Sequence, residues 1–149
     1  MDKSGKLDME KLMSAFQDFF REHSQHWVER FQYKEAGTQL LLQAFLQRIV
    51  NSGGRVHREY GLGTKRTDLM LIWFYDDNVQ KVVIELKILY KSLKKTVNEG
   101  LEQTWEYMDK CGTKQGHLVI FDRTKKSWDE KIFRKTESFK DSEIIVWGM

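Results

Sequence analysis

The chain of 149 residues is 40% hydrophobic and 32% charged, with a formal net charge of +3 and an isoelectric point near 8.9. That length fits one domain with an ordinary core, and the composition excludes collagen-like, disordered and disulfide-scaffold chains. Cys111 is the lone cysteine, the start from Met1 to Leu12 is polar, and the longest apolar run is Leu69 to Tyr75. No intrachain disulfide can form, a signal peptide's apolar core is missing, and a bilayer-spanning run of ~20 residues is absent, so the expectation is a cytoplasmic protein without membrane contact.

Residues 7 to 22 predict an amphipathic helix, because Met9, Leu12, Met13, Phe16, Phe19 and Phe20 recur at three- and four-residue steps. Trp27, Val28 and Phe31 extend its apolar content. A second helix is expected from Glu35 to Asn51, ended by Ser52-Gly53-Gly54. The period then changes. Arg55 to Tyr60 reads as a short strand and Gly61-Leu62-Gly63 as a turn or bulge. Asp68 to Tyr75 and Val82 to Ile88 are nearly all apolar, which predicts strands of a central sheet covered on both sides by helices. Asp76-Asp77-Asn78-Val79 supplies hairpin chemistry between them. With Asp77-Asn78 at the turn, Asp68 would face Lys87, and Met70 would face Glu85. Val97 to Cys111 predicts a third helix with a buried stripe of Val97, Leu101, Thr104, Trp105, Met108 and Cys111, capped by Gly112. His117 to Phe121 and Glu143 to Trp147 read as strands, and residues 127 to 135 as a short helix.

The chemistry is suggested by charge inside strands that otherwise read as core. Glu85 and Lys87 interrupt Val82-Val83-Ile84-Glu85-Leu86-Lys87-Ile88 and, two apart, leave the same face of the strand. Asp68 opens the neighbouring strand. Burying such groups is costly unless they pair or bind a metal, and two carboxylates suit a hard cation such as Mg²⁺ or Mn²⁺. The ordinary alternative is a cross-strand ion pair of Lys87 with Asp68 or Glu85. The four histidines and Cys111 show no zinc-like spacing and read as surface or core residues. Basic residues gather between Lys114 and Lys140 and at Lys91, Lys94 and Lys95, an arrangement open to phosphate contact or to simple solvation.

Gly63-Thr64-Lys65-Arg66-Thr67-Asp68, a hairpin, then Glu85-Leu86-Lys87 resembles the signature of the PD-(D/E)XK nuclease superfamily. Gln103-Thr104-Trp105-Glu106-Tyr107 matches the QxxxY motif of its RecB-like branch. On a helical wheel Tyr107 falls at the edge of the buried stripe and Gln103 further out. The resemblance covers roughly residues 33 to 123. Thr67 stands where the older form of the motif has proline. Together with Tyr33-Lys34-Glu35-Ala36-Gly37 and the ending Ile145-Val146-Trp147-Gly148-Met149, the wider text is similar to the C-terminal nuclease-like domain of bacterial AAA-type ATPase proteins, here without a phosphate-binding loop.

The resemblance implies a restriction-endonuclease-like fold, a three-layer α/β/α sandwich with a mixed sheet of about five strands. Residues 34 to 149 would form the nuclease-like domain, with residues 1 to 33 a helical segment packed on it. It implies hydrolysis of phosphodiester bonds, in DNA before RNA, leaving 5′-phosphate and 3′-hydroxyl ends. Asp68 and Glu85, with Glu35 and the Leu86 carbonyl, would bind Mg²⁺ or Mn²⁺; Lys87 would help to activate water; Gln103 and Tyr107 would support the site. Two other readings stand beside it. One is a non-catalytic module that binds nucleic acid or an ATPase partner. The other is a dimerisation domain whose apolar first helix packs on a second copy.

Overall fold

The computed structural model describes residues 5–30, 35–51, 53–59, 68–89, 92–122 and 128–149, without the side chains of 23–30, 35–40, 57–59, 68, 128 and 129. Helix α1 runs Met9–Arg30 and α2 Glu35–Val50; strands β1 (Gly54–Glu59), β2 (Asp68–Tyr75) and β3 (Asn78–Leu89) follow. Next come α3 (Leu93–Cys111), β4 (Gly116–Asp122), the single turn α4 (Trp128–Lys131), β5 (Phe133–Phe139) and β6 (Ser142–Gly148). One mixed six-stranded sheet has the order β1-β2-β3-β4-β6-β5. The pairs β1–β2, β2–β3 and β5–β6 are antiparallel, while β3–β4 and β4–β6 are parallel. A parallel neighbour cannot be reached by a tight turn, and α3 supplies the crossover from β3 to β4.

The sheet has six strands where about five were expected. The addition is β5, Phe133-Arg134-Lys135-Thr136-Glu137-Ser138-Phe139, which overlaps the stretch that read as a short helix. Its residues are mostly exposed or half-buried. It is an edge strand, and edges carry charge because exposed apolar edges pair with other chains. Apolar alternation was therefore missing from its text. Only the turn Trp128–Lys131 of the expected helix is present.

Alternate residues of the central strands join two separate clusters, as the two-residue period of a strand requires. Leu69, Leu71, Val82, Ile84, Leu86, Val119 and Phe121 pack with Phe16 and Phe20 of α1 and with Leu42, Leu46 and Val50 of α2. Met70, Val83, Leu118, Ile120, Ile144 and Val146 pack with Val97, Leu101, Tyr107 and Met108 of α3. Phe20 meets Phe121 edge-on with ring centroids 5.0 Å apart, and Phe16 meets Phe45 at 5.3 Å. The fully buried rings of Phe16, Phe20 and Phe121 each contribute roughly 1.5–3 kcal/mol, and the half-buried Phe45 less.

The N-terminal segment is tied to the sheet by polar contacts as well. The Leu7 backbone N–H donates to Gln80 Oε1 at 2.8 Å, and Gln80 Nε2 donates to the Leu7 carbonyl at 3.2 Å. The Trp73 indole donates to the Gly5 carbonyl at 2.9 Å. Further along α1, Gln17 Nε2 donates to the carbonyls of Gly148 and Phe133 at 2.7 and 3.2 Å. No described helix is long and apolar enough to cross a membrane.

Candidate functional site

The β2–β3 hairpin turns on Asp76 and Asp77, whose φ angles are 42° and 62°. A two-residue turn with both central residues at positive φ matches the twist of the flanking strands, and aspartate tolerates that conformation. Asn78 therefore belongs to β3 and pairs with Tyr75. This corrects the expected pairing by two residues. Asp68 faces Glu85, not Lys87, and Met70 faces Val83, not Glu85. Cross-strand partners share a face, so two acidic positions lie side by side on the α3 side of the sheet. Lys87 is one pleat further along that face, beyond the first residue of β2, and its partner is Ile120 of β4.

Glu85 has no solvent exposure, and neither of its carboxylate oxygens has a hydrogen-bond partner among the described residues. No ion pair joins it to Lys87 among those residues, so that form of the ordinary salt-bridge explanation is not realised. An unpaired buried carboxylate loses its hydration without compensation, and a second acid directly opposite adds repulsion. The other buried oxygen without a partner among the described residues is Gln103 Oε1, on α3.

Burial of Tyr107 and of the Gln103 amide oxygen corrects the helical-wheel reading, which set Tyr107 at the edge of the stripe and Gln103 outside it. Tyr107 is 5% exposed. The cause is close approach of α3 to the sheet. A β-carbon at Gly100 would lie 2.6 Å from Leu118 Cδ1, and one at Gly116 would overlap the Met108 sulfur. With no side chain at either position the helix settles deeper, and its flanks are covered too. Thr104 is wholly buried, its hydroxyl donating to the Gly100 carbonyl at 2.7 Å. Ser92 caps the start of α3 by accepting from the Lys95 N–H, and Gly112 ends it in the left-handed conformation, as expected.

The donor set fits a hard divalent cation: oxygen atoms only, an uncompensated carboxylate, and a second acidic position across the strand pair. Among the described residues no three acidic, histidine or cysteine side chains converge on one point. The side chains of Asp68 and Glu35, expected as partners of Glu85, lie outside the described set. Glu35 opens α2 as expected, and the described part of that helix packs on the sheet face opposite Glu85.

Much of the basic surface is engaged within the chain. Lys114 pairs with Asp141 at 3.2 Å, Arg134 with Glu10 at 2.6 Å and Lys135 with Glu137 at 3.3 Å. The Lys140 ammonium sits 3.9 Å from the centre of the Trp105 ring. Lys94 and Lys95 are exposed on the first turn of α3, and Lys91, Arg123, Lys125 and Lys126 lie outside the described residues.

A polar pair that the sequence did not single out lies on the α1 side of the sheet. His117 is 4% exposed, and its Nδ1 accepts from the Trp147 indole N–H at 3.0 Å. Burial, helped by the Arg134 charge, lowers its pKa from 6.5 to about 4. The residues are thirty apart and meet only because β4 and β6 are neighbours, so no local signal marks them. The side chains of His23, His26 and His57 lie outside the described residues. No family model, curated protein or solved structure matches the chain.

Proposed function

We propose that the chain is a metal-dependent nuclease of the PD-(D/E)XK type, a three-layer α/β/α sandwich in which α1 and α2 cover one face of the sheet and α3 the other. The observation that carries the reading is Glu85, wholly buried, without a partner for either oxygen among the described residues, and paired across the strands with Asp68. A buried carboxylate in that state calls for compensation, and a bound cation supplies it.

In this reading Asp68, Glu85 and the Leu86 carbonyl would hold Mg²⁺ or Mn²⁺, and Glu35, at the first residue of a helix that packs on the other face, would have to reach the ion around the edge of the sheet. The bound cation supplies charge neutralisation at a phosphate and a more acidic water. Lys87 presents its ammonium where negative charge grows as water oxygen adds to phosphorus and the 3′-oxygen departs with a proton. Gln103 Oε1 accepts a hydrogen bond from water and so helps to orient it. Tyr107, buried one helical turn later, fixes that part of α3. DNA is the preferred substrate and RNA the alternative.

The test is cleavage of single- and double-stranded DNA and RNA with and without Mg²⁺, beside a Lys87→Ala control. Metal-dependent cleavage should fall at least ~100-fold in the variant, the scale of one lost electrostatic contact. Equal cleavage by both proteins would remove Lys87 from the chemistry. No cleavage of any substrate by the wild type would favour a binding module on the same fold.

A further inference from the structure

On the sheet face opposite Glu85, a cavity of about 500 Å³ opens beside the start of α1. Leu7, Met9 and Ile145 give it apolar walls, and His117, Thr136 and Glu143 give it polar ones. The strand register sets these groups together. His117 pairs with Ile145, Ile145 pairs with Thr136, and Glu143 lies two residues before Ile145 on the same face of β6.

The protonation of His117 is fixed by its neighbour. An indole nitrogen only donates, so Nδ1 holds a lone pair and the neutral ring carries its proton on Nε2. That N–H has no acceptor among the described residues, although the side chain is more than nine-tenths buried. Most other charged groups at the rim are committed: Asp8 caps the Lys11 N–H at 3.2 Å, Glu10 holds Arg134 at 2.6 Å and Lys114 holds Asp141 at 3.2 Å. Glu143 is exposed and has no ion pair or hydrogen bond among the described residues.

The groups left free among the described residues are thus the neutral His117 N–H, the Thr136 hydroxyl and the Glu143 carboxylate. A cation ligand is excluded at Nε2 because the proton is there, and an anion is disfavoured by Glu143. What fits is a molecule with an oxygen acceptor next to N–H donors and enough apolar surface to lie against Leu7, Met9 and Ile145. Of the common bases, guanine alone sets two N–H donors in line for a carboxylate beside a carbonyl oxygen. We propose that this cavity binds a guanine base, with O6 accepting from His117 Nε2 and N1–H and N2–H donating to Glu143. The apolar walls hold the ring faces. The site makes no use of Glu85 and stands apart from the nuclease reading. The base could be a free nucleoside or an unpaired guanine in a single strand.

Calorimetric titration of the full chain in chelator separates the cases. The probes are guanosine, adenosine, and single-stranded thymidine oligonucleotides with and without one dG. Saturation by guanosine assigns the site to a free nucleoside; saturation by the dG oligonucleotide alone assigns it to nucleic acid. In either case Glu143→Gln should weaken binding by about 10–100-fold, the effect of losing charge-assisted hydrogen bonds, with an unchanged melting curve. The proposal is overturned if neither guanine probe saturates at millimolar concentration, if adenosine binds as tightly as guanosine, or if Glu143→Gln leaves affinity unaltered.

Discussion

Replacing Glu85 by leucine should stabilise the protein in chelator and make it indifferent to the metal that stabilises the wild type. Glu85 is fully buried, and both its oxygens lack partners among the described residues. An unsatisfied buried polar group costs about 1–3 kcal/mol, more when charged, and Asp68 stands opposite. Leucine has similar bulk and no polar atom to strand, so Glu85→Leu should gain about 2 kcal/mol without metal. For a chain of this size that raises the melting temperature by roughly 4–8 °C. Mg²⁺ at a hundred times its dissociation constant should stabilise the wild type by about 2.7 kcal/mol, or roughly 5–11 °C, and Glu85→Leu hardly at all. Differential scanning calorimetry of both proteins, with EDTA and across a Mg²⁺ series, reads all four values. A loss of about 3–5 kcal/mol in EDTA would mean that Glu85 is half of a buried ion pair. An equal Mg²⁺ response from both proteins would place the cation elsewhere.

Acid stability should carry the mark of His117. Its pKa is about 4 in the fold against 6.5 ordinarily, so between those values the unfolded chain takes up a proton that the folded chain refuses. Stability should then fall by ~1.4 kcal/mol per pH unit, about 3 kcal/mol in all, with no contribution above pH 6.5. Urea unfolding between pH 7 and 4.5 should show a shallower fall in His117→Asn; coincident slopes would reject the assignment. Gly54→Ala should cost about 1–3 kcal/mol, because its β-carbon would run into the Ile72 carbonyl oxygen, a backbone atom that cannot step aside. Gly112→Ala, facing open space at φ +69°, should cost only the left-handed conformation, about 1 kcal/mol, and denaturant midpoints would rank the two. Asp77→Gly should stabilise by about 0.5 kcal/mol, since glycine enters the positive-φ region without penalty; a lower melting temperature would contradict the turn geometry.

The central strands and the third helix were legible because their text is governed by one strong local signal. β2 spans Asp68–Tyr75 as expected, its end set by the end of the apolar run, and Gly112 stops α3 as its lack of a side chain suggests. What failed was read from geometry that local text does not determine. The hairpin motif admits more than one two-residue turn, and a shift of one position moves every cross-strand partner by two, so Asp68 was matched to Lys87. β5 escaped notice because an edge strand is written in charge. The depth of Gln103 depended on Gly100 and Gly116, which lie on different elements and act only once those elements meet. Glu85 and Lys87 stood out at once, since charge amid Val82, Val83, Ile84, Leu86 and Ile88 is anomalous in any register.

The bonds from Gln17 to Gly148 and Phe133 join parts of the chain separated by 131 and 116 positions. Contacts so remote in sequence form late, because a long loop must close before any gain is realised. On a ribosome adding about 5–20 residues per second, α1 would wait roughly 7–26 s for the carbonyl of Gly148 to be synthesised. Throughout that interval the Phe16 and Phe20 face of α1 has only part of its sheet to pack on, since β6 and β5 are the last strands made. The nascent chain should therefore be most open to chaperone capture, and to unwanted association, just before its final strands emerge.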